Sequence, residues 1–164
     1  MSSVMLAATA FALHLCQVMP VLQRYNKQLV EVEGVYWGDS HGIALVGRNC
    51  KQHFSTKGYT WTDGISLARP GDYLGRRLEK EVPDIPFSLN ATSVDVLSKA
   101  LERSKSTTPR GSIRLVVTGL LLTGGADYVV SGEPPFSFDG FGHFGRFPAV
   151  LVIREIKSAE VFRE

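Results

Sequence analysis

The sequence predicts a mainly β, β-rich α+β domain: a five-stranded OB-like barrel with an N-terminal helix and a second helix between strands three and four. Three observations point there. Five segments are either alternating or continuously apolar at strand length. One amphipathic helical segment falls between the third and the fourth, which is the element order of the OB-fold, a small partly open Greek-key barrel. The 16 glycines and 8 prolines cluster between these segments, as the turns of a β-rich fold require. Another small β-barrel and an α+β sandwich share the same element count.

Taken in chain order, residues 4–13 are an apolar run with small residues at Ala10 and Ala12. That is the pattern of a signal-peptide core followed by a cleavage site. Only Met-Ser-Ser precedes it, without the basic residue such a segment carries, so the alternative reading is the first turns of a core helix. The run is shorter than the ~20 apolar residues a spanning helix needs, and no other segment approaches that length, so no transmembrane span is expected. Residues 1–12 are thus read as a signal-peptide remnant and 13–164 as a single barrel domain.

Leu15, Val18, Met19 and Leu22 recur at helical spacing, with Pro20 set to shorten or kink the helix. Residues 25–27 read as a turn. Residues 29–37 alternate apolar and polar, the pattern of a half-buried strand. Gly38 to Gly42 is a hairpin turn, and 43–46 is the returning strand. Residues 51–58 are polar and loop-like. Residues 59–67 read as the third strand, with a break at Gly64. Residues 68–90 hold Pro70, Pro83, Pro86 and a mixed-charge stretch at 76–81, a span long enough to carry a short helix or a functional loop. Thr92 or Ser93 caps the next helix, 94–104, with Val94, Leu97 and Leu101 on one face. Residues 106–111 are a linker. Residues 113–123 form a strongly apolar fourth strand that ends at Gly124-Gly125, 128–130 a short strand, 132–148 a loop rich in Gly, Pro and Phe, and 149–161 the last strand.

The net charge of +2 argues against a nucleic-acid partner, which selects a basic excess on one face. The chain has two cysteines, Cys16 and Cys50, just behind the apolar segment. A pair in that position reads first as one structural disulfide in an oxidising compartment, worth roughly 3–4 kcal/mol. Two buried thiols are the alternative.

Two stretches carry a resemblance. One is Leu15-Cys16 followed by residues 24–34 (Arg-Tyr-Asn-Lys-Gln-Leu-Val-Glu-Val-Glu-Gly), then His41-Gly42 and Cys50. The other is residues 140–149 (Gly-Phe-Gly-His-Phe-Gly-Arg-Phe-Pro-Ala) running into the last strand. Together they resemble an uncharacterised family of small exported bacterial proteins. Its members open with Leu-Cys-Glu-Leu and Tyr-x-Gly-Lys-x-Val-x-Val-x-Gly and close with Gly-His-Leu-Gly-x-Tyr-Pro-Ala. The resemblance covers the two ends and leaves 68–112 unmatched. It departs at Asn26-Lys27-Gln28, where the family has a glycine turn. It implies export and the cysteine pair, and it supplies no chemistry.

The candidate binding residues are His143, Phe141, Phe144 and Arg146 in the glycine–phenylalanine loop, and Tyr59 and Trp61, which share one strand face. Aromatics on the open face of an OB-fold can stack bases or sugars. Tyr36 and Trp37 must point to opposite faces. The structural reading of the loop is that its glycines permit a tight path while Phe141, Phe144 and Phe147 plug the core; an exposed Phe136, Phe138, Phe141, Phe144 and Phe147 patch would instead mark an interaction site. Asp39 reads as a turn-stabilising residue beside His41. A metal reading uses His41, Cys50 and His53, since Cys-x-x-His is a zinc spacing, and it excludes the disulfide. No motif implies a catalytic residue or a cofactor.

The sequence therefore favours an exported, periplasmic or secreted, non-enzymatic binding or structural domain, with an envelope protein or small ligand as partner. The alternatives are a cytoplasmic OB-type nucleic-acid-binding domain, should the N-terminal segment not be a signal, and a small metal-dependent hydrolase using His41, His53 and His143.

Overall fold

Alternation along residues 28–39 builds the first long strand of the barrel: Val30, Val32 and Gly34 are buried, while Glu31, Glu33 and Val35 between them are partly open. In the computed structural model, which describes residues 11–56, 59–72, 84–124, 140–142 and 145–163, this strand is β1 (Gln28–Asp39), followed by β2 (Gly42–Val46), β3 (Gly64–Ala68), β4 (Ser112–Thr123) and β5 (Ala149–Phe162). The signal-like residues 1–10, the charged stretch 76–81, the short strand at 128–130 and Phe136, Phe138, His143 and Phe144 lie outside the described residues.

The five strands close on themselves. β1 pairs antiparallel with β2, β2 antiparallel with β3, β3 parallel with β5, β5 antiparallel with β4, and β4 antiparallel with β1. The order around the ring is 1-2-3-5-4, with the helix α2 (Ala91–Ser106) linking β3 to β4. This is the predicted OB-like barrel, in which each of the five strands is hydrogen-bonded to a neighbour on both sides. Inside it pack Val32, Leu45, Ile65, Leu115, Val117, Leu121 and Leu151, each fully buried.

The N-terminal helical segment divides just before Pro20 into α1 (Leu15–Val18) and a 3-10 helix (Met19–Tyr25), with the proline in the first turn of the latter. Its four spaced apolar residues, Leu15, Val18, Met19 and Leu22, are all fully buried in the barrel core. His14 caps α1, its ring Nδ1 accepting the Cys16 N–H. Leu13–His14 also pairs in parallel with β1 at Val32 and Glu33, a contact the pattern did not announce.

Three expectations need correction. The third strand begins at Gly64 rather than Tyr59; Tyr59–Thr60 pairs instead with Ser55–Thr56 as a separate two-stranded piece. Gly64 is not a break inside a strand but the start of one, set by the Phe147 ring that occupies the space of any Cβ there. Helix α2 starts earlier than predicted, with Asn90 as its cap: Asn90 Oδ1 accepts the Thr92 N–H at 3.1 Å. Its buried side chains are Ser93, Ala100 and Ser104, while Val94 is 43% exposed.

The small residues of α2 have a physical reason. β5 makes two register shifts against β4, where one strand carries an extra residue and its backbone groups lose ladder partners. The start of α2 supplies them: the Ile156 N–H donates to buried Ser93 Oγ at 2.8 Å, and the Asn90 N–H donates to the Arg154 carbonyl at 2.8 Å. A larger residue at Ser93 would hold the helix off the strand.

The predicted disulfide is present. Cys16 on α1 and Cys50 beyond β2 are bonded, 34 residues apart, and tie the N-terminal helix to the end of the second strand. Gly47 leaves the space that the Cys50 sulfur fills. Among the described residues no helix is long and apolar enough to cross a membrane.

Candidate functional site

On the outward side of the barrel three residues stand in register across three strands. Trp37 on β1 is opposite Ala44 on β2, which is opposite Ser66 on β3. Tyr36 points the other way, toward the core, and Gly38 leaves room for its ring. Burial pushes the Tyr36 pKa above its ordinary value of 10, opposed in part by the positive charge of Arg110. A large indole beside two small residues leaves a depression in the sheet surface.

Two loops wall the depression. The first is the turn between β1 and β2, where Asp39 Oδ1 accepts the His41 N–H at 2.7 Å and fixes the carboxylate at the rim. The second is the end of the connection between β4 and β5. Phe141 and Phe147 form an antiparallel bridge there, with N–H donors to each other's carbonyls at 2.8 and 3.1 Å. Gly142, at φ +72°, turns the chain where a side chain would meet Phe147 and Ser66.

The result is a cleft of about 180 Å³ lined by residues of both loops and of strands β1 to β3. Trp37 meets the Phe147 ring edge-on at 6.1 Å between centroids. The Arg146 guanidinium lies 5.5 Å from the centroid of Trp37, a cation–π distance. Among the described residues no carboxylate forms an ion pair with Arg146. Asp39, His41 and Ser66 complete the polar lining. One cleft thus offers an aromatic surface, a donor-only cation and an acceptor-only anion.

The residues singled out in the sequence divide between this cleft and the core. Arg146 and His41 line the cleft. Phe141 is 4% exposed and plugs a second apolar cluster on the outside of β3, β4 and β5, with Leu122, Val150 and Val152. Phe147 is equally buried, so both described phenylalanines of the loop are packing residues. Tyr59 and Trp61 pack edge to face at 5.1 Å, away from the cleft; Trp61 is 2% exposed and its Nε1–H donates to Thr56 Oγ1. Burial leaves the Trp61 ring no open face for stacking.

The structure does not bring the zinc-reading residues together as a ligand set. Cys50 is consumed by the disulfide, and His53 Nδ1 is paired with Asp63 at 2.8 Å. Among the described residues no group of three His, Cys, Asp or Glu side chains is placed to hold a metal. Trp37 and Asp39 were not named as site residues from the sequence. Their signal was the shared outward parity on β1 combined with small partners opposite, which needs the strand register to be known.

Fold and cleft together define an OB-like barrel with an open, mixed-polarity site on its strand 2–3 face. The chain matches no protein-family model, no curated protein and no solved structure.

Proposed function

We propose that this protein is an exported, periplasmic or secreted, non-enzymatic domain that binds a ligand in the Trp37 cleft. The observation that carries this reading is positional. Trp37, Asp39 and Arg146 converge on the outward face of β2 and β3 between the β1–β2 and β4–β5 connections, and that is the face and loop pair with which OB-folds take oligosaccharides and oligonucleotides. The apolar segment ahead of Cys16, the Cys16–Cys50 bridge and the resemblance to small exported bacterial proteins support the oxidising compartment. The binding role rests on the site's own chemistry as well as on fold analogy.

The test is a titration of 15N-labelled protein with separate pools of saccharides, oligonucleotides and amino acids. Shifts that cluster at the Trp37 indole N–H, His41 and Gly142, and vanish in Trp37→Ala, support the cleft. Shifts confined to another surface, or none from any pool, refute it.

A further inference from the structure

The side chains of the cleft select among ligands, and this step rests on reading the cleft as the ligand site. Arg146 is a half-buried cation with the Trp37 ring as its support and no ion-paired carboxylate among the described residues. A guanidinium is always charged and presents N–H donors in a planar fork that matches a carboxylate two to two. Asp39, in the same cleft, accepts hydrogen bonds only. A ligand that satisfies both brings a negative planar group for Arg146 and hydrogen-bond donors for Asp39.

A DNA backbone taken alone fails the second requirement, so any donor to Asp39 would have to come from a base. The backbone's phosphate oxygens offer Asp39 no donor, and the strand that carries Trp37 continues the same outward side with Glu31 and Glu33. Glu31 is already bonded to Lys157 at 2.8 Å, and Glu33 lies 3.8 Å from Arg114. Among the described residues, the cations on that side stand against carboxylates rather than forming a basic track for phosphates. A sugar ring with a carboxylate and vicinal hydroxyls meets both requirements, since each hydroxyl both donates and accepts. Gly42 and Gly142 stand in the two walls without side chains, and the half-buried Trp37 ring, backed by buried Phe147, offers an apolar surface for the C–H face of the ring.

We infer that the cleft binds an acidic sugar residue of an extracytoplasmic saccharide, with its carboxylate on Arg146, its hydroxyls on Asp39 and its apolar face against Trp37. Arg146 is the residue that separates acidic from neutral sugars.

The experiment compares, by calorimetry and by 15N spectra, a uronic-acid trisaccharide, the matching neutral trisaccharide, a single-stranded oligonucleotide and a mixture of amino acids. The acidic trisaccharide is expected to bind at least about tenfold tighter than the neutral one, because a charge-assisted pair is gained. Arg146→Gln removes that preference and Arg146→Lys restores only part of it, with the near-ultraviolet spectrum of each variant unchanged as the check on folding. Equal affinity for acidic and neutral sugars overturns the inference. If the oligonucleotide or the amino acids move the Trp37 and Gly142 signals and the acidic sugar does not, the inference fails and the cleft remains the ligand site. If no probe moves them, both fail.

Discussion

Replacing both Cys16 and Cys50 by serine removes a cross-link whose worth follows from its span. The bridge closes a loop of 34 residues. In the chain-entropy treatment, ΔS is about −2.1 − 1.5R ln n cal/mol/K, which for this loop is near −12.6 cal/mol/K, or about 3.8 kcal/mol at 25 °C. That is a large share of the 5–15 kcal/mol that holds a typical domain. With a urea m-value of about 2 kcal/mol/M the midpoint falls by about 2 M. The melting temperature falls by about 8–15 °C for a chain of this size. The assay is urea and thermal unfolding followed by circular dichroism, on the wild type with and without reductant and on the double variant. Reduced wild type and double variant are expected to coincide, because the effect lies in the freedom of the unfolded chain. A loss below about 1 kcal/mol would refute the reasoning and place the brace of the N-terminal helix in the burial of Leu15, Val18, Met19 and Leu22 alone.

Three further outcomes follow from the packing. Gly119→Ala places a methyl against the Val152 carbonyl in the β4–β5 ladder and is expected to lower stability by about 2–3 kcal/mol in urea unfolding, since backbone cannot move aside; a neutral result contradicts the close approach. Ser93→Ala leaves the Ile156 N–H buried without its acceptor, a loss of about 1–3 kcal/mol by the same assay, and a change under about 0.5 kcal/mol would mean the bulge finds another partner. Tyr36 has its pKa raised in the folded state by burial, so the native protein holds that proton more tightly than the unfolded chain. Its contribution is complete below pH 10 and is lost as pH rises above 10; Tyr36→Phe is expected to flatten the alkaline fall in stability measured from pH 9 to 11, and an unchanged slope contradicts the assignment.

Much of the fold was written in local pattern. The alternation of residues 29–37, the apolar run at 113–123 and the spacing of Leu15, Val18, Met19 and Leu22 each led to the element observed, because burial against one core imposes the period. What the pattern missed depends on tertiary contact. Tyr59 and Trp61 looked like strand three because aromatic residues favour strands, yet Trp61 turns into the core from a separate hairpin. The predicted Leu97 and Leu101 do pack on the core, but Val94 points outward because Ser93, bonded to the Ile156 N–H, sets the buried phase together with Val96 and Ala100. The cleft was half legible. Arg146 and His41 stood out as charged or titratable residues in glycine-rich turns, whereas Trp37 and Asp39 gained meaning from the register that sets Ala44 and Ser66 beside them.

The most direct test of the account as a whole is the intact mass of the protein recovered from its native cells, with thiol alkylation before and after reduction. The account predicts a mass lacking about the first dozen residues, in keeping with a cleaved signal segment, and alkylation of two thiols only after reduction. A full-length mass with both thiols reactive from the start would contradict export and the Cys16–Cys50 bridge together.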